Sequence, residues 1–185
     1  MPRIPPLVLI PVAVLAAFIG LALGGMFTPG RDELPSTREG GTAPALEPLT
    51  ALGDRPVLTR AMLDEPGVKI VNYWASWCAP CRLEHPQISA LAEEFPVYGV
   101  NYKDTPDKAL AFLDDLGDPY AAIGQDAGRV AMDWGVYGVP ETYVIDGDGT
   151  VILRFAGPIT AEMMEKRIRP AIEKAGEKSG AKAGG

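Results

Sequence analysis

A β-rich run, Val68-Lys69-Ile70-Val71-Asn72-Tyr73-Trp74, leads through three residues into Cys78-Ala79-Pro80-Cys81, and these two cysteines are the only ones in the chain. The order matters more than the pair itself. A nearly continuous apolar run of this length reads as a buried strand. The residues after it suit a helix, so Cys78 falls where strand gives way to helix. At that point unpaired backbone N–H groups and the positive end of the helix dipole face the sulfur. Both favour thiolate over thiol, and the thiolate is the nucleophile. Cys81 lies one turn later on the same side, placed to attack a mixed disulfide formed at Cys78. Pro80 removes an N–H and stiffens the turn.

Two blander readings of the pair stand beside this one. A permanent structural disulfide closes only a tiny loop here and adds little stability. Metal binding needs more ligands than one CxxC supplies, since four-coordinate zinc takes four. His85 is the only histidine, so further ligands would come from carboxylates or a second chain.

Downstream of the cysteines, strand and helix signals alternate. Leu83, Ile88, Leu91, Ala92 and Phe95 form a helical stripe through Glu94, with Pro86 inside it. Val97–Tyr102 is the next strand. Thr105-Pro106 opens a helix with a cap and an N1 proline, running to about Leu116. A short strand at Ala121–Ile123 and a helix from Asp126 or Gly128 to Gly135 follow. Thr142–Asp146 and Thr150–Phe155 flank Gly147-Asp148-Gly149, a hairpin pattern. Thr160 caps a last helix that buries Met163, Met164, Ile168 and Ile172. This order predicts an α/β fold, a central mixed β-sheet flanked by helices. Asp146-Gly147-Asp148-Gly149 also resembles the start of a calcium loop. Val151 and Gly157 stand where that loop needs its glycine and its glutamate, so a turn is the better reading.

The flanks are of another character. Leu7 to Phe27 carries no charge and is long enough to span a bilayer as a helix. Residues 1–30 therefore read as an N-terminal transmembrane anchor. Arg3 ahead of the run favours a cytoplasmic N-terminus, with the remainder exported. A cleaved signal peptide ending near Ala22-Leu23-Gly24 is the other reading. Residues 31–48 are expected to be a flexible linker, 49–176 the folded domain, and 177–185 a flexible tail. The formal net charge of −7, with no basic stripe, argues against nucleic acid as a partner.

The segment Val71-Asn72-Tyr73-Trp74-Ala75-Ser76-Trp77-Cys78-Ala79-Pro80-Cys81 resembles the active-site segment of the thioredoxin superfamily. Arg82-Leu83-Glu84-His85-Pro86 and Tyr137-Gly138-Val139-Pro140-Glu141-Thr142-Tyr143-Val144-Ile145-Asp146 narrow the resemblance. With the N-terminal apolar run, they resemble the membrane-anchored DsbE/CcmG family of thiol–disulfide oxidoreductases of cytochrome c maturation. The likeness covers roughly Leu49 to Ala175, and implies a thioredoxin-like fold with Pro140 as the family's cis-proline. It further implies that Val139 offers its backbone to an extended substrate peptide.

Thioredoxin has a buried aspartate where this chain has Asn72, and asparagine cannot take a proton. Glu84, three residues after Cys81 and matching the family's active-site glutamate, is the candidate proton acceptor; the alternative is a solvated helix charge. Trp77 is expected at the rim beside Cys78 and Trp74 in the core. Glu141 is expected on the active-site face, either selecting a partner or lying as an edge charge. His85 reads as a structural or surface histidine.

The resemblance implies a periplasmic enzyme, tethered to the bacterial inner membrane through residues 7–27, that uses no cofactor beyond its own Cys78–Cys81 disulfide and no metal. It would reduce apocytochrome c haem-binding thiols, or their mixed disulfide with a maturation partner. Electrons would come from a membrane thiol transporter of the DsbD/CcdA type. Three alternatives stay open: a general periplasmic disulfide reductase or isomerase, a non-catalytic apocytochrome-binding module, and a copper carrier.

Overall fold

The computed structural model describes residues 6–26 and 38–182. The chain divides into two units, residues 1–36 and 37–185. In the first, α1 (Pro6–Met26) is a helix of 21 residues. Its described apolar side chains, among them Val14, Leu15, Phe18 and Leu21, are exposed. Among the described residues no helix is long and apolar enough to cross a membrane; several side chains of α1 lie outside that set.

The second unit is built on β1 (Lys69–Trp74), β2 (Val97–Tyr102), β3 (Ala122–Asp126), β4 (Glu141–Ile145) and β5 (Val151–Ala156). These form one sheet in the order β3-β2-β1-β4-β5. β1, β2 and β3 run parallel, and β4 and β5 pair antiparallel. The mixed sheet predicted from the alternating pattern is what the chain forms. β1 is central and buried along its whole length, as its unbroken apolar character requires.

Its side chains alternate between two faces. Val71 and Tyr73 enter a core with Tyr143, Trp134, Val130 and Leu58. Ile70 packs on the other side with Ile88, Leu91, Val144 and Ile168. That second face is covered by α3 (Ala79–Ala92) and by the C-terminal helical segment, Ala161–Met163 (α6), a π-type turn at Met164–Ile168 and Arg169–Lys182 (α7). A further cluster joins Trp74, Cys78 and Cys81 to Phe112 and Leu113 of α4 (Pro106–Leu116). Two short helices, α2 (Arg60–Leu63) and α5 (Arg129–Trp134), complete the unit.

Several details differ from the sequence expectation; β3, expected at Ala121–Ile123, runs on to Asp126. Residues 38–48, expected within the flexible linker, belong to the fold: Gly40 N–H donates to Val151 O at 2.8 Å and Ala43 N–H to Gly149 O at 2.8 Å. Ala43 and Leu46 are buried in the core. Polar composition hid this, because pairing with the β5 edge satisfies the backbone whatever the side chains. The rest of that linker, residues 31–37, lies outside the described residues, as do 1–5, 27–30 and 183–185. The expected tail is helical as far as Lys182, with Ser179 Oγ donating to Ala175 O and accepting from Gly147 N, both at 2.8 Å. Thr105 caps α4 by position only. The Thr105 N–H instead goes to the Asp104 carboxylate at 2.8 Å, and the Thr105 side chain makes no capping bond. The hairpin turn and the Thr160 cap are as the sequence predicts.

Candidate active site

Cys78 is the N-cap of α3, and its Sγ accepts the Cys81 N–H at 3.1 Å. Cys78 and Cys81 are joined as a disulfide, the oxidised state of the pair. They are 3% and 2% exposed, respectively, set against Trp74, Phe112 and Val139. On reduction, the N–H that points at Cys78 would favour its thiolate through a charge-assisted bond.

The loop before Cys78 is held from outside the helix. Asp104 accepts from Ser76 N at 2.6 Å, Ser76 Oγ at 2.8 Å and Asn101 Nδ2 at 3.1 Å. Burial would raise the Asp104 pKa, but these donors outweigh it and hold the carboxyl below its usual value. Trp77 stands on this loop, 57% exposed, with its indole N–H donating to Lys103 O at 3.1 Å. It is at the rim as expected, and Trp74 is in the core at 1%. The link from Asp104 to the active-site loop carried no local signal in the sequence, because Ser76 lies 28 residues away.

Glu84 is not a solvated helix charge. It is 1% exposed. Its Oε1 accepts from Asn72 Nδ2 at 2.9 Å and its Oε2 from Ile159 N at 2.9 Å. Desolvation pushes its pKa up, and the two hydrogen bonds pull it down. Desolvation wins, leaving the carboxyl at about 7. A carboxyl poised near neutrality suits transfer of a proton to and from a thiol. Cys81 precedes it by three residues on the same buried face of α3.

Asn72 is the hub of this polar interior. Sheet register sets Gly99 on one side of it and Thr142 on the other. Its amide also donates to Thr142 Oγ1 at 3.1 Å, and its Oδ1 accepts from Tyr120 OH at 2.8 Å. The Tyr120 ring stacks on Trp74 with centroids 5.5 Å apart. Gly99 makes room for that stack: a Cβ there would lie 2.9 Å from Trp74 Nε1 and 3.0 Å from Tyr120 Cγ.

Of the two readings of His85, structural or surface, the first holds: it is buried. Its Nε2–H donates to Gly117 O at 3.0 Å, its ring meets Phe112 edge-on, and burial lowers its pKa.

Pro140 follows a cis bond from Val139. Val139 is partly buried against the cysteine cluster, and none of the described backbone hydrogen bonds outside helices and strands uses it.

Glu141 is placed differently from the expectation of a surface charge. It is 2% exposed. Its Oε1 accepts from Tyr137 N at 2.8 Å, and its Oε2 from Arg154 Nε at 2.8 Å and Tyr143 OH at 3.3 Å. A partner would have to break these bonds to reach the carboxylate. What they present instead is Tyr137, 89% exposed, with the Arg154 guanidinium 4.8 Å from its ring centre. Tyr137 opens the Gly138-Val139-Pro140-Glu141 segment, and nothing in the sequence marks its exposure.

Comparison with known proteins agrees with this architecture. Residues 42–154 match the AhpC/TSA family. The chain is 47% identical over 176 residues to a thiol:disulfide interchange protein DsbE homolog of Paracoccus denitrificans, covering 95% of this chain and 98% of that one. It is 43% identical to the thiol:disulfide interchange protein HelX of Rhodobacter capsulatus, covering 90% and 96%. Among solved structures, a thiol:disulfide interchange protein DsbE from Chlorobium tepidum superposes with a TM-score of 0.58 at 27% identity, covering 74% of this chain and 99% of that one. With a CxxC disulfide at the start of a helix on a thioredoxin-like sheet, the chain is a thiol–disulfide oxidoreductase and belongs to the DsbE/HelX group of thiol:disulfide interchange proteins within the AhpC/TSA family.

Proposed function

We propose that the protein is a membrane-anchored, periplasmic disulfide reductase acting in cytochrome c maturation. The observation that carries the reductase reading is the pairing of a helix-capping Cys78–Cys81 disulfide with a buried Glu84 on the same helix face. The reduced pair acts on a substrate disulfide in two steps. Cys78 thiolate attacks one substrate sulfur, forming a mixed disulfide and releasing the other as a thiolate that takes up a proton. Glu84 then takes the Cys81 proton, Cys81 attacks Cys78 Sγ, and the second substrate sulfur leaves and is protonated. Two electrons pass to the substrate, and the Cys78–Cys81 disulfide is the product.

The family resemblance supports apocytochrome c, or a maturation protein disulfide-bonded to it, as substrate. It also supports a membrane dithiol transporter of the DsbD/CcdA type as the donor that re-reduces the pair. Trp77, next to Cys78 in the chain, and Val139, packed against the cysteine cluster, would contact the substrate, with Val139 offering its backbone to an extended peptide. The anchor reading rests on the uncharged run Leu7–Phe27 and on a helix of 21 residues, about 30 Å at the usual rise. The domain beyond would then face an oxidising compartment, where a dedicated donor is needed to keep such a pair reduced.

The test is capture in cells. With Cys81→Ser, the first attack has no resolving thiol and the substrate stays bound at Cys78. Recovery of c-type apocytochrome, or of a thiol protein bound to it, supports the assignment. A broad set of unrelated exported proteins supports a general reductase instead, and absence of any adduct overturns the exchange mechanism.

A further inference from the structure

The Tyr120 hydroxyl touches Asn72, the residue that donates to Glu84. Asn72 has one acceptor and two donors on its amide. Tyr120 OH donates to the acceptor at 2.8 Å. The donors are thereby left to Glu84 Oε1 and Thr142 Oγ1, at 2.9 and 3.1 Å. We propose that Tyr120 is a positioning residue for the redox centre: by donating to Asn72 Oδ1 it fixes the direction of the Asn72 amide and, through it, the protonation of Glu84. This rests on the reading above only for its consequence at Cys81; the link from Tyr120 to Glu84 stands on the contacts themselves.

Ionised Glu84 needs the amide N–H toward it. If the amide turned over, Asn72 Oδ1 would face a carboxylate, and that arrangement holds only when Glu84 carries a proton to donate. With Tyr120 OH present, the N–H-inward orientation satisfies Asn72 Oδ1 and polarises the N–H that serves Glu84. Without the hydroxyl, that orientation leaves a buried carbonyl oxygen unpaired, which is costly. Loss of the hydroxyl also ends the polarisation of the N–H that serves ionised Glu84, which favours the protonated carboxyl.

The groups around Glu84 leave this bond little competition. Asn72 and Thr142 approach from the sheet, the Ile159 N–H from the segment before α6, and Cys81 precedes it on α3. Among the described ion pairs none includes Glu84. Asp118 lies on the Tyr120 side, taking the Tyr120 N–H at 3.1 Å. Burial holds the Tyr120 phenol well above its ordinary pKa, so it remains a donor throughout the range in which Glu84 titrates. The seat itself is built into the fold: Gly99, opposite Asn72, leaves the space in which Tyr120 lies against Trp74.

The experiment follows the Glu84 side-chain carboxyl by carbon NMR in the oxidised full chain as pH is varied. Tyr120→Phe keeps the ring and removes only the hydroxyl. Its Glu84 midpoint is expected to rise by about one pH unit, the size of one lost hydrogen bond at a charged network. The Asn72 side-chain amide signals should follow the same titration in the wild-type protein. In an Asn72→Leu background, Tyr120→Phe should produce no further change. An unmoved midpoint in Tyr120→Phe overturns the proposal, as does an equal shift in the Asn72→Leu background. Because the readout is Glu84 itself, the relay is tested separately from proton transfer at Cys81. If Glu84→Gln left the Cys81 thiol pKa and exchange rate unchanged, proton transfer would fail and the relay would stand.

Discussion

Asn72 Nδ2 donates to Glu84 Oε1 at 2.9 Å, joining the central strand to the helix that carries both cysteines. The bond lies in the interior, both residues being 1% exposed. A buried carboxyl on α3 thus lies beside the asparagine of the central strand, and the strand supplies a donor to it.

Glu84 is raised from 4.5 unfolded to about 7 folded, so between those values the folded state holds a proton that the unfolded state has lost. Stability of the oxidised protein should therefore fall as pH rises across that interval, by on the order of 3 kcal/mol in all. Glu84→Gln should remove most of this slope. Urea unfolding at a series of pH values reads it directly; an unchanged slope in the variant would mean that another group is responsible.

Gly99→Ala should destabilise the fold by roughly 1–3 kcal/mol, the usual cost of overpacking. The added methyl meets two stacked rings, Trp74 and Tyr120, and neither is a flexible chain end. The denaturation midpoint and the near-ultraviolet dichroism of tryptophan report the two effects together. A wild-type midpoint would show that the pair relaxes freely.

Asp104→Ala removes the acceptor for Ser76 N, Ser76 Oγ and Asn101 Nδ2. It should cost about 1–3 kcal/mol and speed amide exchange at Ser76. Because the Asp104 carboxyl is held below its ordinary value, its contribution is full above that ordinary value, near 3.9, and is lost as pH falls through the folded value. The variant and the wild-type protein should therefore converge in stability at strongly acid pH.

Glu141→Gln leaves Arg154, whose side chain is 12% exposed, without its anionic partner. Breaking a pair this enclosed should cost about 3 kcal/mol. The Tyr137 amide, now bound to the carboxylate, should exchange faster with solvent. If Glu141 acted only by meeting a substrate directly, stability and exchange would both stay at their wild-type values.

The legible part of this fold was local. The Val68–Trp74 run, the helix that begins at Cys78, the Thr105-Pro106 start and the Gly147-Asp148-Gly149 turn are each written in a few adjacent residues. Periodicity, caps and turn chemistry act over that range, so the order of elements and the mixed sheet followed from them. The same range places Cys78 at a helix N-terminus and Cys81 one turn on.

The environment of those residues was not local. Asn72, Glu84, Tyr120 and Thr142 come from four separate segments and meet only because sheet register and helix packing superimpose them. Burial turned Glu84 from a helix charge into a carboxyl poised near neutrality, and turned Glu141 from an edge charge into the internal anchor of Tyr137 and Arg154. Residues 38–48 joined the domain because an open sheet edge needed backbone partners. The sequence by itself determined where the sulfurs sit and which elements carry them. Tertiary structure alone decided what surrounds them, because desolvation and hydrogen-bond pairing depend on distance in space and not along the chain.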